Sequence, residues 1–273
     1  MTAGERNAQA VERRGAAVDI AGLRKEYAAG AHRVLALDGI DLTIAPGEFV
    51  CIVGPSGCGK STLLRILAGL DTQSSGTIRI EAPGWKVPNA MVFQDSGLFP
   101  WMTVEANVCF GLMTRGVPAA ERTERVEAAL RLVGLSKFAR HYPHQLSGGM
   151  RQRSAIARAF VTDPGMLLMD EPFAALDAQN RTILQAELVR LWEETGKTVI
   201  YITHSIDEAL LLGDRTVVMT AHPGRIKEIK NIPFPHPRDI MTLQSSPAFG
   251  ALKLDIWRIL EDEVMRARAE LEQ

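Results

Sequence analysis

The chain has 273 residues, of which 46% are hydrophobic and 23% are charged. This length and composition are those of a globular protein with one large domain or two small ones. Lys and Arg number 31 against 32 Asp and Glu, and so balanced a chain is not built to neutralise a nucleic-acid backbone, which excludes nucleic acid from the expected partners. The three cysteines form no recognisable disulfide framework and fit a reducing cytoplasm.

The predicted elements alternate strands with helices along the chain. Short apolar runs predict strands at 18–27, 34–44, 49–53, 77–80, 90–93, 166–169, 198–203 and 216–220. Apolar residues at helical spacing predict helices at 61–70, 123–133, 151–160 and 251–269, and another around Leu184, Leu188 and Leu191 that Gly196 ends. None of the apolar runs approaches the roughly twenty residues of a membrane span. The alternation predicts an α/β fold with a parallel sheet.

Two stretches interrupt this alternation. Strand signals are absent between residues 96 and 162, which predicts an α-helical subdomain inserted into the sheet domain. Prolines between Ile232 and Arg238 exclude a helix there and predict an extended linker. The expected division is a disordered polar lead-in at 1–16, a domain at 17–235 that carries the insertion, and a linker with an amphipathic helix at 236–273.

A glycine-rich loop follows the predicted strand at 49–53 and precedes a predicted helix. Its residues are Gly54, Pro55, Ser56, Gly57, Cys58, Gly59, Lys60, Ser61 and Thr62. In this context the glycines let backbone N–H groups point at phosphate oxygens, and the helix N-terminus adds its positive dipole. We expect Lys60 to reach the β- and γ-phosphates of a nucleotide and the Ser61 hydroxyl to bind Mg²⁺. The alternative is a surface glycine turn.

Two carboxylates, Asp170 and Glu171, end the apolar strand at 166–169. Asp170 is placed to hold the Mg²⁺ shell, and Glu171 to orient or deprotonate an attacking water. In isolation, an acidic pair after a strand is more often a solvated strand end. The phosphate loop in the same predicted sheet favours the functional interpretation.

Three single residues are further candidates. Gln94, after the strand at 90–93, can touch Mg²⁺ or the attacking water, or it can be an ordinary polar strand end. His204 can hydrogen-bond the γ-phosphate, or it can be structural. Tyr27 can stack on adenine, or it can fill a strand edge. The residue pattern alone leaves each alternative open.

A second glycine motif, Leu146-Ser147-Gly148-Gly149, precedes the predicted helix at 151–160. Its amides and the helix dipole suit a phosphate group, although most such triplets are flexible turns. The motif lies in the inserted subdomain, where it would face away from the chain's own loop. We therefore predict that two chains pair head to tail and that each offers this motif to the other's ATP.

Together these motifs resemble the ATP-binding-cassette (ABC) ATPase family over residues 18 to 230. The resemblance implies a P-loop NTPase with a RecA-like core, an antiparallel β subdomain and an inserted α-helical subdomain. It implies these roles: Tyr27 for adenine stacking, Gly54 to Thr62 as Walker A, Gln94 as the Q-loop glutamine, Leu146 to Met150 as the signature, Asp170 and Glu171 as Walker B, Ala174 to Asp177 as the D-loop, and His204 as the switch histidine. Met150 stands where the commonest signature has glutamine, which leaves the backbone amides unaffected.

Four segments are similar, more narrowly, to the cassettes of nitrate, sulfonate or taurine importers: 98–104, 146–153, 203–210 and 222–226. This resemblance implies a homodimer at the cytoplasmic face of the membrane, bound to permease subunits that a solute-binding protein supplies. Leu98 to Phe110 would help form the groove for a permease helix, or Phe99, Trp101 and Phe110 are subdomain core. Importers for bicarbonate, cyanate or pyrimidine precursors remain alternatives.

Three classes outside transport are disfavoured by visible features. DNA-repair cassettes carry long coiled-coil or zinc insertions, whereas only residues 95–145 separate Gln94 from the signature. Translation-type proteins carry two tandem cassettes in one chain. A regulatory nucleotide-binding module would be expected to lack Glu171 or Lys60.

Overall fold

The computed structural model describes residues 15–30, 32–174 and 176–271. Most of the expected lead-in, and Ala175 of the expected D-loop, lie outside these ranges. Gly15 and Ala16 lie inside them, and their N–H groups donate to Gly196 O and Gly165 O, each at 3.0 Å. These two residues are therefore already fixed to the core.

The strands are β1 (Ala17–Ala29), β2 (His32–Ile44), β3 (Phe49–Val53), β4 (Ser75–Glu81), β5 (Asn89–Val92), β6 (Met166–Asp170), β7 (Thr198–Ile202), β8 (Arg215–Met219) and β9 (Ile226–Asn231). The α-helices are α1 (Lys60–Leu67), α2 (Val104–Met113), α3 (Ala119–Leu132), α4 (Gly148–Phe160), α5 (Ala178–Thr195), α6 (Ile206–Leu212), α7 (Ile240–Gln244) and α8 (Pro247–Leu271).

The central sheet has six strands in the order β5-β6-β7-β3-β8-β9. Strands β5, β6, β7, β3 and β8 are mutually parallel, and β9 is antiparallel to β8. Every residue of β3, β6 and β7 is buried, as expected for parallel strands covered on both faces. Because β7 lies between β3 and β6, the segments that follow these three strands meet at one edge of the sheet.

A smaller antiparallel sheet has the order β2-β1-β4. Its apolar side chains form one hydrophobic cluster with α1 and one face of the central sheet; the cluster includes Val18, Ile20, Leu23, Ile40, Leu42, Ile44, Leu63, Leu64 and Ile52. The α1 helix is thereby clamped between the two sheets, which fixes the glycine loop at its N-terminus.

Helices α2, α3 and α4 are inserted between β5 and β6. Their apolar faces, including Val108, Leu112, Val126, Leu130 and Ile156, join a second hydrophobic cluster with the other face of the central sheet. The α/β fold with an antiparallel β subdomain and an inserted helical subdomain agrees with the expected fold class.

The C-terminal region packs against the cassette. The Arg238 guanidinium donates to Leu210 O, Leu211 O and Gly213 O at 2.9–3.1 Å and so caps the end of α6. On α8, Ile256 is fully buried, and the Glu263 carboxylate accepts from Ala221 N at 2.8 Å. Within 15–30, 32–174 and 176–271, no helix combines the length and hydrophobicity needed to cross a membrane.

Candidate active site

The glycine loop joins β3 to α1 in a conformation that side chains would block. Gly57 and Gly59 have φ of 78° and 94°, in the left-handed region that favours glycine. A Cβ on Gly59 would lie 2.8 Å from Ala36 O, and one on Gly54 would lie 2.9 Å from Cys58 Sγ. The loop backbone is therefore free to approach a ligand closely.

Lys60 lies under this loop and is only 5% exposed. Its ammonium donates to Gly54 O at 2.9 Å and to Pro55 O at 2.8 Å, and it lies 3.7 Å from Cys58 Sγ. Burial raises the pKa of the Cys58 thiol. Both carbonyl acceptors are neutral, so they do not compensate the positive charge of the ammonium. This uncompensated charge suits a polyphosphate.

Ser61 and Asp170 meet across the end of the sheet. The Ser61 hydroxyl donates to Asp170 Oδ1 at 3.1 Å. Desolvation by burial raises the pKa of Asp170, while the Ser61 hydrogen bond and the Lys60 charge oppose that rise. A hydroxyl and a carboxylate are oxygen donors of the kind that Mg²⁺ prefers, so this pair fits that ion.

Glu171 and His204 form the second contact at this edge. Glu171 Oε1 lies 2.6 Å from His204 Nε2. Glu171 has φ of 45°, which is uncommon for a residue other than glycine, and its N–H donates to Ile202 O at 3.1 Å. The end of β7 thus turns the Glu171 side chain toward the histidine.

Gln94 is exposed, just beyond the end of β5. Helix α4 holds the backbone on both sides of it: Gln152 Nε2 donates to Phe93 O at 3.3 Å, and Arg158 donates to Gly97 O at 2.7 Å and to Ser96 O at 3.0 Å. The segment around Gln94 is therefore tied to the helical insertion.

Tyr27 lies near the end of β1 and lines a cleft of its own. Its hydroxyl donates to Asp71 Oδ2 at 2.6 Å, and the Lys25 ammonium lies 4.6 Å from its ring centroid. Among the described residues, the cleft that Tyr27 lines with Arg24, Arg33 and Ser74 includes no residue of the glycine loop. Tyr27 is 38% exposed, and the adenine role stays a prediction.

The second glycine motif forms the start of α4. Ser147 is the N-cap residue, and its hydroxyl accepts from Met150 N at 3.3 Å. Gly148 and Gly149 are in the first helical turn, and a Cβ on Gly149 would lie 3.2 Å from Leu176 Cδ2. Leu146 is buried and anchors the motif to the subdomain core.

Asp177 lies beside this motif. It caps α5 by accepting from Asn180 N at 3.0 Å, and hydrogen bonds from Asn180 lower its pKa. A cavity of about 400 Å³ is lined by Ser147, Gly148, Gly149, Leu176, Asp177 and Asn180, among others. The motif and the start of α5 thus form one continuous surface.

This surface is separate from the glycine-loop cleft. The latter, of about 500 Å³, is lined by Gly54, Pro55, Ser56 and His204 together with part of α8. Within the part of the chain that the structure describes, the two cavities share no lining residue. The glycine loop with His204 and the Ser147 motif with Asp177 therefore line two different cavities of the chain.

Comparison with known proteins identifies the family. A family model described as "ABC transporter" matches residues 37–174. The chain belongs to the ABC transporter family. The expected family, fold class and enzyme class are thereby confirmed, and the protein is an ATPase of this family that binds ATP.

Several ABC proteins are similar over most of the chain. An uncharacterized ABC transporter ATP-binding protein of Methanocaldococcus jannaschii is 50% identical over 90% of this chain and 91% of its own. The taurine import ATP-binding protein TauB of Roseobacter denitrificans is 40% identical over 94% of this chain and 98% of its own. The bicarbonate transport ATP-binding protein CmpC of Synechococcus elongatus is 44% identical over 86% of this chain and 36% of its own.

A solved ABC structure has the same fold. It is the dimeric, post-hydrolysis state of an ATP-binding cassette bound to ADP and Pi, with a TM-score of 0.72 and 34% identity. It covers 80% of this chain, and this chain covers all of it.

Sequence reasoning missed two sets of contacts in this ABC cassette. Gln152 and Arg158 read only as polar positions of a predicted helix, so nothing indicated that they hold the segment around Gln94. Glu208 lies in a segment for which no helix was predicted and has the appearance of an ordinary acidic residue, yet it is buried and accepts three side-chain hydrogen bonds. Neither set leaves a signal in residue type or spacing.

Proposed function

We propose that this ABC ATPase is the energising subunit of an importer for small anions and that it works as a homodimer with two ATP molecules at the interface. The relatives named for taurine import and bicarbonate transport support the solute class. Taurine carries a sulfonate, and both solutes are small and oxyanionic. Nitrate and alkanesulfonates belong to the same chemical class.

The separation of the two cavities carries this proposal. In one cavity the glycine loop lies near His204, and in the other the Ser147–Gly149 amides lie beside Asp177. An ATP molecule held by the loop of one chain can be covered by Ser147 to Gly149 only if a second chain supplies them. The dimeric form of the similar cassette supports this arrangement.

Each residue at the loop has a role in this scheme. Lys60 would bind the β- and γ-phosphates, the loop amides of Gly54 to Thr62 would cradle them, and Ser61 with Asp170 would hold Mg²⁺ through oxygen ligands. Bound there, Mg²⁺ would neutralise phosphate charge. Glu171 accepts a proton from the attacking water, and His204 donates a hydrogen bond toward the γ-phosphate.

Two residues outside this group, Gln94 and Tyr27, also act on the nucleotide in this scheme. Gln94 adds an amide oxygen near the Mg²⁺ site, and its backbone connection to α4 transmits nucleotide binding to the helical insertion. Tyr27 stacks on adenine through its ring, which is partly exposed. Asp177 and the adjacent turn contact the second chain.

A hydrophobic surface on the insertion suits a permease. Trp101 is 70% exposed, and Phe99 packs between it and Phe110 with ring-centroid distances of 5.6 and 4.8 Å. An exposed aromatic of this size favours a protein contact over plain subdomain core. We assign Leu98 to Phe110 to the permease groove, which places the ATPase peripherally on the cytoplasmic face of the membrane, downstream of a solute-binding protein.

The proposed domain division follows from these roles. Residues 17–235 form the cassette, residues 96–162 are its helical subdomain, and residues 236–273 form the C-terminal linker and helix.

Glu171→Gln tests the catalytic part of the proposal. The amide cannot accept the water's proton, so we expect hydrolysis to fall by about 100-fold or more, while ATP binding and Mg-ATP-dependent dimerisation persist. Phosphate release and size-exclusion chromatography measure the two effects. Glu124→Gln, an exposed carboxylate on α3, is the matched control. Normal hydrolysis by Glu171→Gln would remove Glu171 from this role.

Uptake measurements test the solute class. In a strain that lacks this chain, we expect loss of uptake of labelled taurine, an alkanesulfonate, nitrate or bicarbonate, and restoration by the wild-type chain but not by Glu171→Gln. Unchanged uptake of all four solutes would reject the small-anion class and leave the ATPase assignment intact.

A further inference from the structure

A buried carboxylate next to the active site has no role in the scheme above. Glu208, on α6, is 7% exposed. It accepts hydrogen bonds from Tyr201 OH at 3.0 Å, Thr203 Oγ1 at 2.5 Å and Gln185 Nε2 at 3.0 Å. A buried charge of this kind is costly unless several donors satisfy it, so this arrangement holds three elements, α5, α6 and the end of β7, in one geometry.

Glu208 fixes the backbone on both sides of His204. The Thr203 hydroxyl, which donates to Glu208, accepts from Ser205 N at 3.0 Å. The Ser205 hydroxyl in turn accepts from Glu208 N at 3.3 Å. Thr203 is therefore bonded to the Glu208 carboxylate directly, Ser205 is bonded to it through the Thr203 hydroxyl and to the Glu208 backbone N–H, and the imidazole between them reaches Glu171.

The same carboxylate faces α5. Arg181 Nε lies 3.9 Å from Glu208 Oε1, and this buried N–H has no hydrogen-bond partner among the described residues. Arg181 Nη2 also donates to Leu176 O at 2.9 Å, in the turn that lines the Ser147 cavity. A small approach of Arg181 toward Glu208 would complete the missing hydrogen bond and would move this turn relative to His204.

We propose that Glu208 is the positioning residue for His204 and that Arg181 connects it to the turn at Leu176 and Asp177. This inference rests on the proposed role of His204 at the γ-phosphate. In the proposed dimer, the Leu176 turn of a chain faces the partner's ATP, so the connection links each chain's histidine to the other chain's nucleotide.

A carboxylate suits this position because all three of the side chains that hydrogen-bond to Glu208 donate to it. A carboxylate only accepts, whereas a glutamine at this position would turn an NH₂ group toward at least one of these donors. The Glu208→Gln variant therefore keeps the shape of the side chain and loses part of the network.

Substitutions at Thr203 test the link to His204. Thr203→Val keeps the shape and removes the hydroxyl, whereas Thr203→Ser keeps the hydroxyl. We expect kcat to fall about tenfold or more in Thr203→Val, because small misplacements of a catalytic group have effects of this size, with KM for ATP changed less than threefold; Thr203→Ser should stay within about threefold of wild type. The His204 ring resonances in histidine-labelled protein should shift in Thr203→Val and not in Thr203→Ser. Equal kcat in the two variants, or unshifted resonances in Thr203→Val, would overturn the proposal.

A double-mutant cycle tests whether Glu208 acts through His204. We expect Glu208→Gln to lower the single-turnover rate about tenfold in the wild-type background and less than twofold in the His204→Ala background, since residues that act as a unit are not additive. Equal fold-losses in both backgrounds would contradict the proposal. If His204→Ala has no measurable rate, the Thr203 pair decides.

Wild-type activity separates this inference from the proposed function. A wild-type chain that does not hydrolyse ATP, alone or with a permease, would reject the function itself. Active wild type with unaffected Glu208→Gln and Thr203→Val would reject only the positioning role. Melting temperatures of all variants show whether a loss of rate reflects unfolding.

Discussion

At the scale of single residues, Glu171 shows what the sequence predicts and where prediction stops. Carboxylates directly after a buried strand were expected to lie at the same sheet edge as the glycine loop, because parallel strands end together. The left-handed φ of Glu171 and its 2.6 Å contact with His204 were not predictable. Both depend on how the ends of β6 and β7 are hydrogen-bonded, which residue type does not encode.

Tyr27 makes a contact that the sequence does not predict. Its position after a predicted strand fits a stacking residue, and in the structure its hydroxyl is bonded to Asp71, as is the Lys25 ammonium. These two donors come from β1, whereas Asp71 follows α1, so the contact joins the antiparallel sheet to the helix of the glycine loop. Sequence separations of 44 and 46 residues hide such a contact from pattern analysis.

The Asp71 contact predicts a pH dependence of stability. Hydrogen bonds from Lys25 and Tyr27 lower the pKa of Asp71 from 3.8 to about 2. Between these values the unfolded chain binds the proton and the folded chain does not, so the contribution is complete above pH 3.8 and is lost as the pH falls to about 2. We expect Asp71→Asn to lower the free energy of unfolding at pH 7 by about 1 kcal/mol or less, since solvent screens the pair, and to flatten its acid dependence.

Urea unfolding of wild type and Asp71→Asn between pH 2 and 7 measures this effect, and an NMR titration of the Asp71 carboxyl reads its pKa directly. The control is Asp41→Asn. Asp41 lies in the antiparallel sheet and accepts from Gly22 N. Parallel stability curves for wild type and Asp71→Asn would show that the hydrogen bonds do not act as described.

At the scale of elements, apolar strands next to turn signals and periodic helices were predictable, whereas a short helix without a helical period and a highly charged strand were not. The strands β3, β6 and β7 are continuous apolar runs next to turn signals, and the helix α5 ends at Gly196 in the left-handed conformation, as expected. Helix α6 has four consecutive apolar residues, from Ala209 to Leu212, and therefore no helical period. In strand β9, Lys227 and Glu228 separate the two isoleucines, Ile226 and Ile229, so this short run has no two-residue alternation and resembles a solvated loop.

Helix α4 carries two features that the sequence pattern did not connect with each other. Its N-terminus carries the Ser147 cap and the glycine amides, while Gln152 and Arg158, further along, hold the segment around Gln94. A rigid helix therefore connects the surface offered to a second chain with the residues after β5. The pattern predicted the helix but not its connections, because polar residues on a helix face carry no information about their partners.

Substitution of Ser147 tests whether the start of α4 binds phosphate as well as capping the helix. Ser147→Ala removes an N-cap, which costs about 1 kcal/mol of stability. We expect it also to weaken ATP-dependent dimerisation and to lower ATP hydrolysis about tenfold or more, because in the proposed dimer the hydroxyl and the helix amides face the partner's nucleotide.

Asp239→Ala is the matched control for that loss of stability. Asp239 caps α7 by accepting from Thr242 N at 2.7 Å, so its removal should cost a similar free energy of unfolding while the ATPase rate stays within twofold. Chemical denaturation and phosphate release measure the two quantities. Equal ATPase rates in the two variants would show that Ser147 acts only as a helix cap.

At the scale of the whole molecule, the proposed two-chain mechanism depends on the separation of the two cavities. The glycine-loop cleft and the Ser147 cavity lie on different elements, and the contacts through Leu176, Arg181 and Glu208 lead from one to the other. The two glycine motifs predicted the two half-sites. The location of the second motif in the inserted subdomain predicted that the half-sites are separate. The sequence did not predict the docking of α8 beside the glycine loop, because an amphipathic helix after a proline-rich linker can pack in many places.

The structure of the Glu171→Gln variant with Mg-ATP tests the two-chain mechanism most directly. We predict a dimer in which each ATP is bound by Lys60 and Ser61 of one chain and contacted at hydrogen-bond distance by Ser147 and Gly149 of the other. An ATP molecule enclosed by residues of a single chain, with no contribution from a second, would contradict it.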